Sequence, residues 1–221
     1  MKSKFVVFLL FLSLTVVLKG QSIFTLDLQH KNQLYLKGGI HPNLGTRLGY
    51  ARNVTAFKTQ LSLYGELNKA LFRPFKDNAE IRLGGVAPLL HHHKFRLINE
   101  GFATGGVLKT THFHSTRFTI GDELDYGYYG AKWRINLSVQ YQWIFLSKIQ
   151  PTEYYRDTFY PEAKESWYRG NGGFFLLGLE TAWLIGKRLD LVFWFKYPSS
   201  QGGNSLMGSP AHAALEIGWR F

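Results

Sequence analysis

The chain contains no cysteine. This excludes a disulfide framework, a thiol-ligated metal site and a lipid anchor attached through an N-terminal cysteine. Beyond Leu18 there is no long hydrophobic run. A mean hydropathy of −0.13 likewise excludes a bundle of membrane helices. Runs of basic residues are missing too, although the formal net charge is +11. With no basic run and no recognition motif, that charge does not point to nucleic acid.

One apolar run is present, at the start. Lys2 and Lys4 precede Phe5 to Leu18, and Lys19, Gly20, Gln21 and Ser22 follow. A charged start, a short apolar stretch and small polar residues after it read as a secretory signal peptide covering residues 1–21. The run is shorter than the roughly 20 apolar residues that a spanning helix requires. Residues 22–221 are then expected to form one domain.

Aromatic residues make up 16% of the chain, and many fall in strictly alternating segments. In Ala131–Leu146, Trp133, Ile135, Leu137, Val139, Tyr141, Trp143 and Phe145 share one parity. Lys132, Arg134, Asn136, Ser138, Gln140 and Gln142 share the other. Period two means a β-strand with an apolar and a polar face. The last eleven residues repeat the pattern, with Ala213, Leu215, Ile217, Trp219 and Phe221 on one face.

An apolar face that ends in Trp219 and Phe221 resembles the closing strand of bacterial outer-membrane β-barrel proteins. The resemblance implies that these two residues serve as an assembly signal read by the barrel-assembly machinery. It also implies an all-β fold, a single antiparallel transmembrane β-barrel in the outer membrane of a Gram-negative cell. Lipid and lipopolysaccharide then surround it, and scattered basic residues suit anionic headgroups at the rim.

Further strands are expected at Leu34–Gly39, Leu44–Arg52, Lys58–Lys69, Ala79–Leu90, Lys94–Lys109, Arg117–Tyr126, Gly173–Ile185 and Arg188–Tyr197. His112–Ser115 and the long Ser147–Gly172 stretch are expected to be loops, and Tyr128-Tyr129-Gly130 a tight turn. Counted back from Phe221, connections alternate long and short through the four clearest cases, as outer and inner connections of such barrels do. The total is about ten strands. It falls to eight if the first hairpin lies outside the wall, and rises to twelve if Phe24–Leu28 joins it.

The polar faces hold the candidate site. Arg47, Glu66, Glu80, Arg82, Glu123, Lys132, Arg134, Glu180, Asp190, Lys196, His212, Glu216 and Arg220 all fall on the parity opposite the apolar residues. A barrel of this size is narrow enough for side chains to fill. Mixed charges there predict a lumen network centred on Glu66, Arg82, Arg134, Glu180, Asp190, Lys196 and Glu216, with Arg134 and Glu180 in its central layer.

Catalysis and metal binding are read as absent. His114 and Ser115 are adjacent, so on a strand they face opposite ways, and Glu123 completes no triad with them. A lipopolysaccharide acyl hydrolase would want His and Ser two apart. His91, His92 and His93 cannot share one ion from a strand. His112 and His114 are better spaced but have no carboxylate nearby. No cofactor is expected. The sequence thus reads as a small non-enzymatic barrel with a structural role, or one that presents Ser147–Gly172 to an outer-membrane protein partner. A narrow polar transport pore is the alternative, and a lipid-acting outer-membrane hydrolase a further one.

Overall fold

A computed structural model describes residues 31–41, 43–56, 59–70, 77–170, 172–185, 188–198 and 212–221. The expected signal peptide and the Phe24–Leu28 segment lie outside these residues. The strands are β1 (Asn32–His41), β2 (Asn43–Ala56), β3 (Thr59–Ala70), β4 (Asn78–His92), β5 (Phe95–Lys109), β6 (Phe113–Tyr129) and β7 (Trp133–Pro151). A short helix α1 (Glu153–Thr158) and strand β8 (Ser166–Arg169) follow, then β9 (Gly173–Ile185), β10 (Leu189–Pro198) and β11 (His212–Arg220).

Each strand from β1 to β7 pairs antiparallel with the next, β7 continues to β9, and β10 and β11 complete the run. β11 returns to pair with β1, Leu34 opposite Trp219 and Lys37 opposite Glu216. The sheet is therefore a closed ten-strand barrel without free edges in its wall. At the seam the Asn32 and Phe221 amides each donate to the other's carbonyl, at 3.1 and 3.0 Å.

Polarity is inverted relative to a soluble core. Leu137 is 65% exposed on the outside while Arg220 is 1% exposed within. Leu36, Leu48, Leu63, Leu83, Leu177 and Ile217 belong to the same outer band. Below it, near the β6–β7 turn and the chain end, sit Phe95, Tyr126, Tyr128, Trp133, Trp183, Trp219 and Phe221. Tyr128 packs 4.7 Å from Trp133, and Trp219 5.9 Å from Phe221. Above it, Phe118, Tyr141, Trp143, Phe145 and Phe175 form a second group, Tyr141 4.8 Å from Phe175. An aliphatic belt between two aromatic girdles is the surface of a barrel that crosses a lipid bilayer.

Two irregularities shape the wall. Register shifts between Pro88 and Leu90, where proline, lacking an amide hydrogen, is tolerated at a bulge. It shifts again opposite Phe118/Thr119. Beyond that point the buried parity in β7 changes, from even numbers (Arg134 to Gln140) to Ser147. The strand accordingly runs on to Pro151. The expected Ser147–Gly172 loop is in fact the top of β7, then α1, then β8 paired to β7. The other loop and turn assignments around β6 shift as well. Phe113–Ser115 and Tyr128–Tyr129 all belong to β6.

The alternation of connection lengths also stops short of the first strands. Only Thr110–His112 separates β5 from β6, and only Pro42 separates β1 from β2. The wall is therefore uneven. β6 has 17 residues and β7 has 19, against 10 in β1 and 9 in β11.

Candidate functional site

The lumen is built by the inward parity of every strand. Near its lower end Ala51, Val86, Ile98 and Tyr129 pack with Tyr35, Tyr64 and Phe102 in one apolar cluster. Elsewhere charged side chains lie among uncharged ones such as Val192, Trp194 and Gln140, and they meet in several ion pairs around the interior.

Two near-repeats dominate one half of the barrel. Tyr35 on β1 leans across Gly49 on β2, and its hydroxyl donates to Glu66 Oε1 on β3 at 2.8 Å. Arg47 Nη1 donates to the other oxygen of Glu66 at 2.9 Å. Two strands further on, Tyr64 leans across Gly84 and donates to Glu100 on β5, which also accepts from Arg82 Nη2. In both cases a side chain on the glycine would overlap the tyrosine ring. Glycine here supplies clearance for a ring to lie flat on the wall. Arg82 also donates from Nε to Tyr64 Oη at 2.9 Å and lies 3.6 Å above the Phe102 ring. It sits 4.0 Å from Glu66, so the two units touch.

The other half holds further pairs. Lys196 on β10 donates to Glu123 on β6, and to Gln140 Oε1 at 2.8 Å. Lys37 meets Glu216 at 2.8 Å. Arg134 Nε lies 3.8 Å from Glu180 Oε1. At the lower end Arg220 is paired with Asp190, its Nε 2.9 Å from Oδ2. Asn136 Nδ2 donates to Asp125 Oδ1 at 3.3 Å. The space left among the central side chains has a volume of about 50 Å³, enough for a few water molecules.

All seven residues expected in the lumen face it, each in an ion pair with an oppositely charged residue. Only Arg134 and Glu180 pair within the seven, although Arg82 also approaches Glu66. The other partners are Arg47, Glu100, Arg220, Glu123 and Lys37. Of the wider inward set, Lys132 is a correction. It is exposed in the β6–β7 turn, outside the strand whose parity placed it inward. Glu80 is half-buried, 4.0 Å from Arg47. Lys37, Arg96, Glu100 and Asp125 were missed, as were the two tyrosines. Lys37 was findable, since it alternates with Leu34 and Leu36 on the same strand. Trp219 and Phe221 both project outward.

The hydrolase set does not converge. Ser115 is buried in the wall's interior, His114 is exposed, and Glu123 is held by Lys196. His112 packs among the Tyr154, Tyr155 and Phe159 rings at 5.6–6.2 Å. Among the described residues no cluster of His, Asp and Glu is arranged to hold a metal ion.

No family model and no curated protein matches this chain. Among solved structures it is similar to NanC porin in a rhombohedral crystal form, at 8% identity and a TM-score of 0.40, over 85% of this chain and 98% of that one. It is also similar to Neisserial surface protein A (NspA), at 10% identity and a TM-score of 0.32, over 86% and 97%. The assignment as a membrane-spanning barrel rests on the closed sheet and its inverted polarity rather than on these likenesses.

Proposed function

We propose that this chain is an outer-membrane barrel whose lumen is closed by its own side chains and whose role is structural or partner-binding rather than enzymatic. The observation that supports this reading is the set of ion pairs that fills the lumen, among them Arg47–Glu66 and Lys196–Glu123, with about 50 Å³ left between the central side chains. A charge so confined is held in place by its partner, since separating the two leaves both desolvated and unpaired. A conducting path would require several of these contacts to open together.

The surface left for a partner is the tall side of the barrel, where β6 and β7 rise with α1 and β8. Thr152 fixes this cap, since its hydroxyl accepts from the Tyr155 amide and donates to the Thr111 carbonyl at 2.7 Å. Tyr154, Phe159, Tyr160, Trp167 and Tyr168 are all exposed there. In this reading the tall side is the outer side, and the rim contacts lipopolysaccharide.

Reconstitution into planar bilayers tests the closed lumen. The expected result is no steady ion conductance. A stable open channel from the wild-type chain would replace this reading with the narrow polar pore.

A further inference from the structure

The central space of the lumen is unevenly lined. Five cationic side chains border it, Lys37, Arg47, Arg82, Arg134 and Lys196, and each has a carboxylate partner there. Six carboxyl groups border the same space. The one left over is Asp125 on β6, which is 2% exposed and forms no ion pair among the described residues. Its Oδ1 accepts from Asn136 Nδ2 at 3.3 Å, and its Oδ2 accepts no hydrogen bond among the described residues. A carboxylate withdrawn from water without a partner is costly. An ionisable side chain at membrane depth therefore marks a site, and its partner has to be named.

The nearby cations are engaged elsewhere. Lys196 directs its three hydrogens to both oxygens of Glu123 and to Gln140 Oε1. Arg96 lies 5.3 Å from the Tyr129 ring and does not border the space. What surrounds Asp125 is oxygen. Asp125 is level with Ser138 on β7, and Asn136, two residues back along β7, is level with Glu180 on β9. Asn136 Oδ1 has no hydrogen-bond partner, and neither has Glu180 Oε1, which meets Arg134 only at 3.8 Å. Three adjacent strands thus bring two carboxyl groups and an amide oxygen to one side of a space of about 50 Å³.

We propose that this space holds one monovalent metal cation of the sodium class, bound by the Asp125 and Glu180 carboxyl groups, with Asn136 orienting Asp125. Surroundings made only of oxygen suit a hard ion. The single charge follows from the local count, since Asp125, Glu180 and Arg134 together carry −1. A calcium ion takes about six to eight oxygens and would leave the site positive. The space has room for one small ion and water. The site belongs to the lumen, and it stands whether the barrel's role is structural or partner-binding.

Urea unfolding of the full chain in phospholipid vesicles tests this, with sodium chloride compared against choline chloride at one ionic strength. Choline is too large for the space. Above the dissociation constant, each tenfold rise in sodium should raise the folded-to-unfolded ratio about tenfold. Asp125→Asn should abolish that dependence, and in choline it should be no less stable than the wild type, because the unpartnered charge is gone. Asp157→Asn, exposed on α1, should keep the full sodium response. Crystals soaked in thallium(I), a heavy monovalent stand-in, should show an anomalous peak beside Asp125. If Asp125→Asn does not fold, the thallium map of the wild type decides. Equal stability of the wild type in the two salts would overturn the proposal, since a proton would then neutralise Asp125. So would a sodium response that survives Asp125→Asn, which would place the ion among lipid headgroups, or a thallium map without a peak in the lumen.

Discussion

Tyr35 and Glu66 are held together across an intervening strand, 2.8 Å from hydroxyl to carboxylate, because Gly49 between them has no side chain. Tyr35→Phe keeps the ring on the glycine and removes one bond to a buried carboxylate. The expected loss is about 1–3 kcal/mol. Gly49→Val should cost more, since the ring must leave the wall. Urea titration of the vesicle-embedded barrel measures both, and equal stability of Tyr35→Phe and wild type would contradict the arrangement.

The Arg82–Glu100 contact offers a test of confinement. Arg82→Met or Glu100→Gln alone leaves a buried charge without its partner, at about 3–5 kcal/mol. The double variant should lose less than the sum of the singles. A double-mutant cycle extracts the coupling. Strict additivity would mean that water or another charge takes the partner's place.

Phe221 projects from the wall beside Trp219 and anchors β11 to β1 through its backbone. Deleting it should reduce the fraction of chain that reaches the folded state in cells, with unfolded chain accumulating before the membrane. The stability of molecules that do fold should change little. Quantifying folded and unfolded bands from fractionated cells checks this. An unaltered folded fraction would remove the assembly role from this residue.

The β4–β5 turn holds His93 with φ of 54°, in the left-handed region. That conformation costs an ordinary residue about 1–2 kcal/mol. His93→Gly should therefore stabilise the hairpin, and His93→Val should weaken it. Refolding yield and denaturant midpoint report the order, which should run Gly above His above Val.

What the sequence revealed depended on unbroken alternation. Trp133 to Phe145 and Leu189 to Lys196 show their two faces plainly, and Arg134, Glu180, Asp190 and Lys196 were legible for that reason. β5 was harder, because Asn99, Gly101 and Gly105 dilute its apolar parity. Glu100 went unseen as a lumen residue, although Arg82 pairs with it. The top of β7 was hidden by the bulge near Phe145, which reverses parity and mimics the end of a strand. Pairings across the lumen were not legible at all. They depend on register between strands far apart in the chain, and no local pattern encodes register. Asp125 escaped for a related reason, since its want of a cation shows only once β6, β7 and β9 are aligned.

The seam between β1 and β11 has a consequence in time. Its two strands lie at opposite ends of the described chain, so the wall remains a curling sheet with two raw edges until the last strand is in hand. Until that moment Lys37 and Glu216 have not met, and each stays in the lumen without the other's charge. Closing so wide a loop is slow, because chain entropy must be lost before the final contacts form. Insertion of this barrel should therefore proceed as one late, concerted event, and a chain stalled before β11 should present a hydrogen-bonding edge to whatever shepherds it.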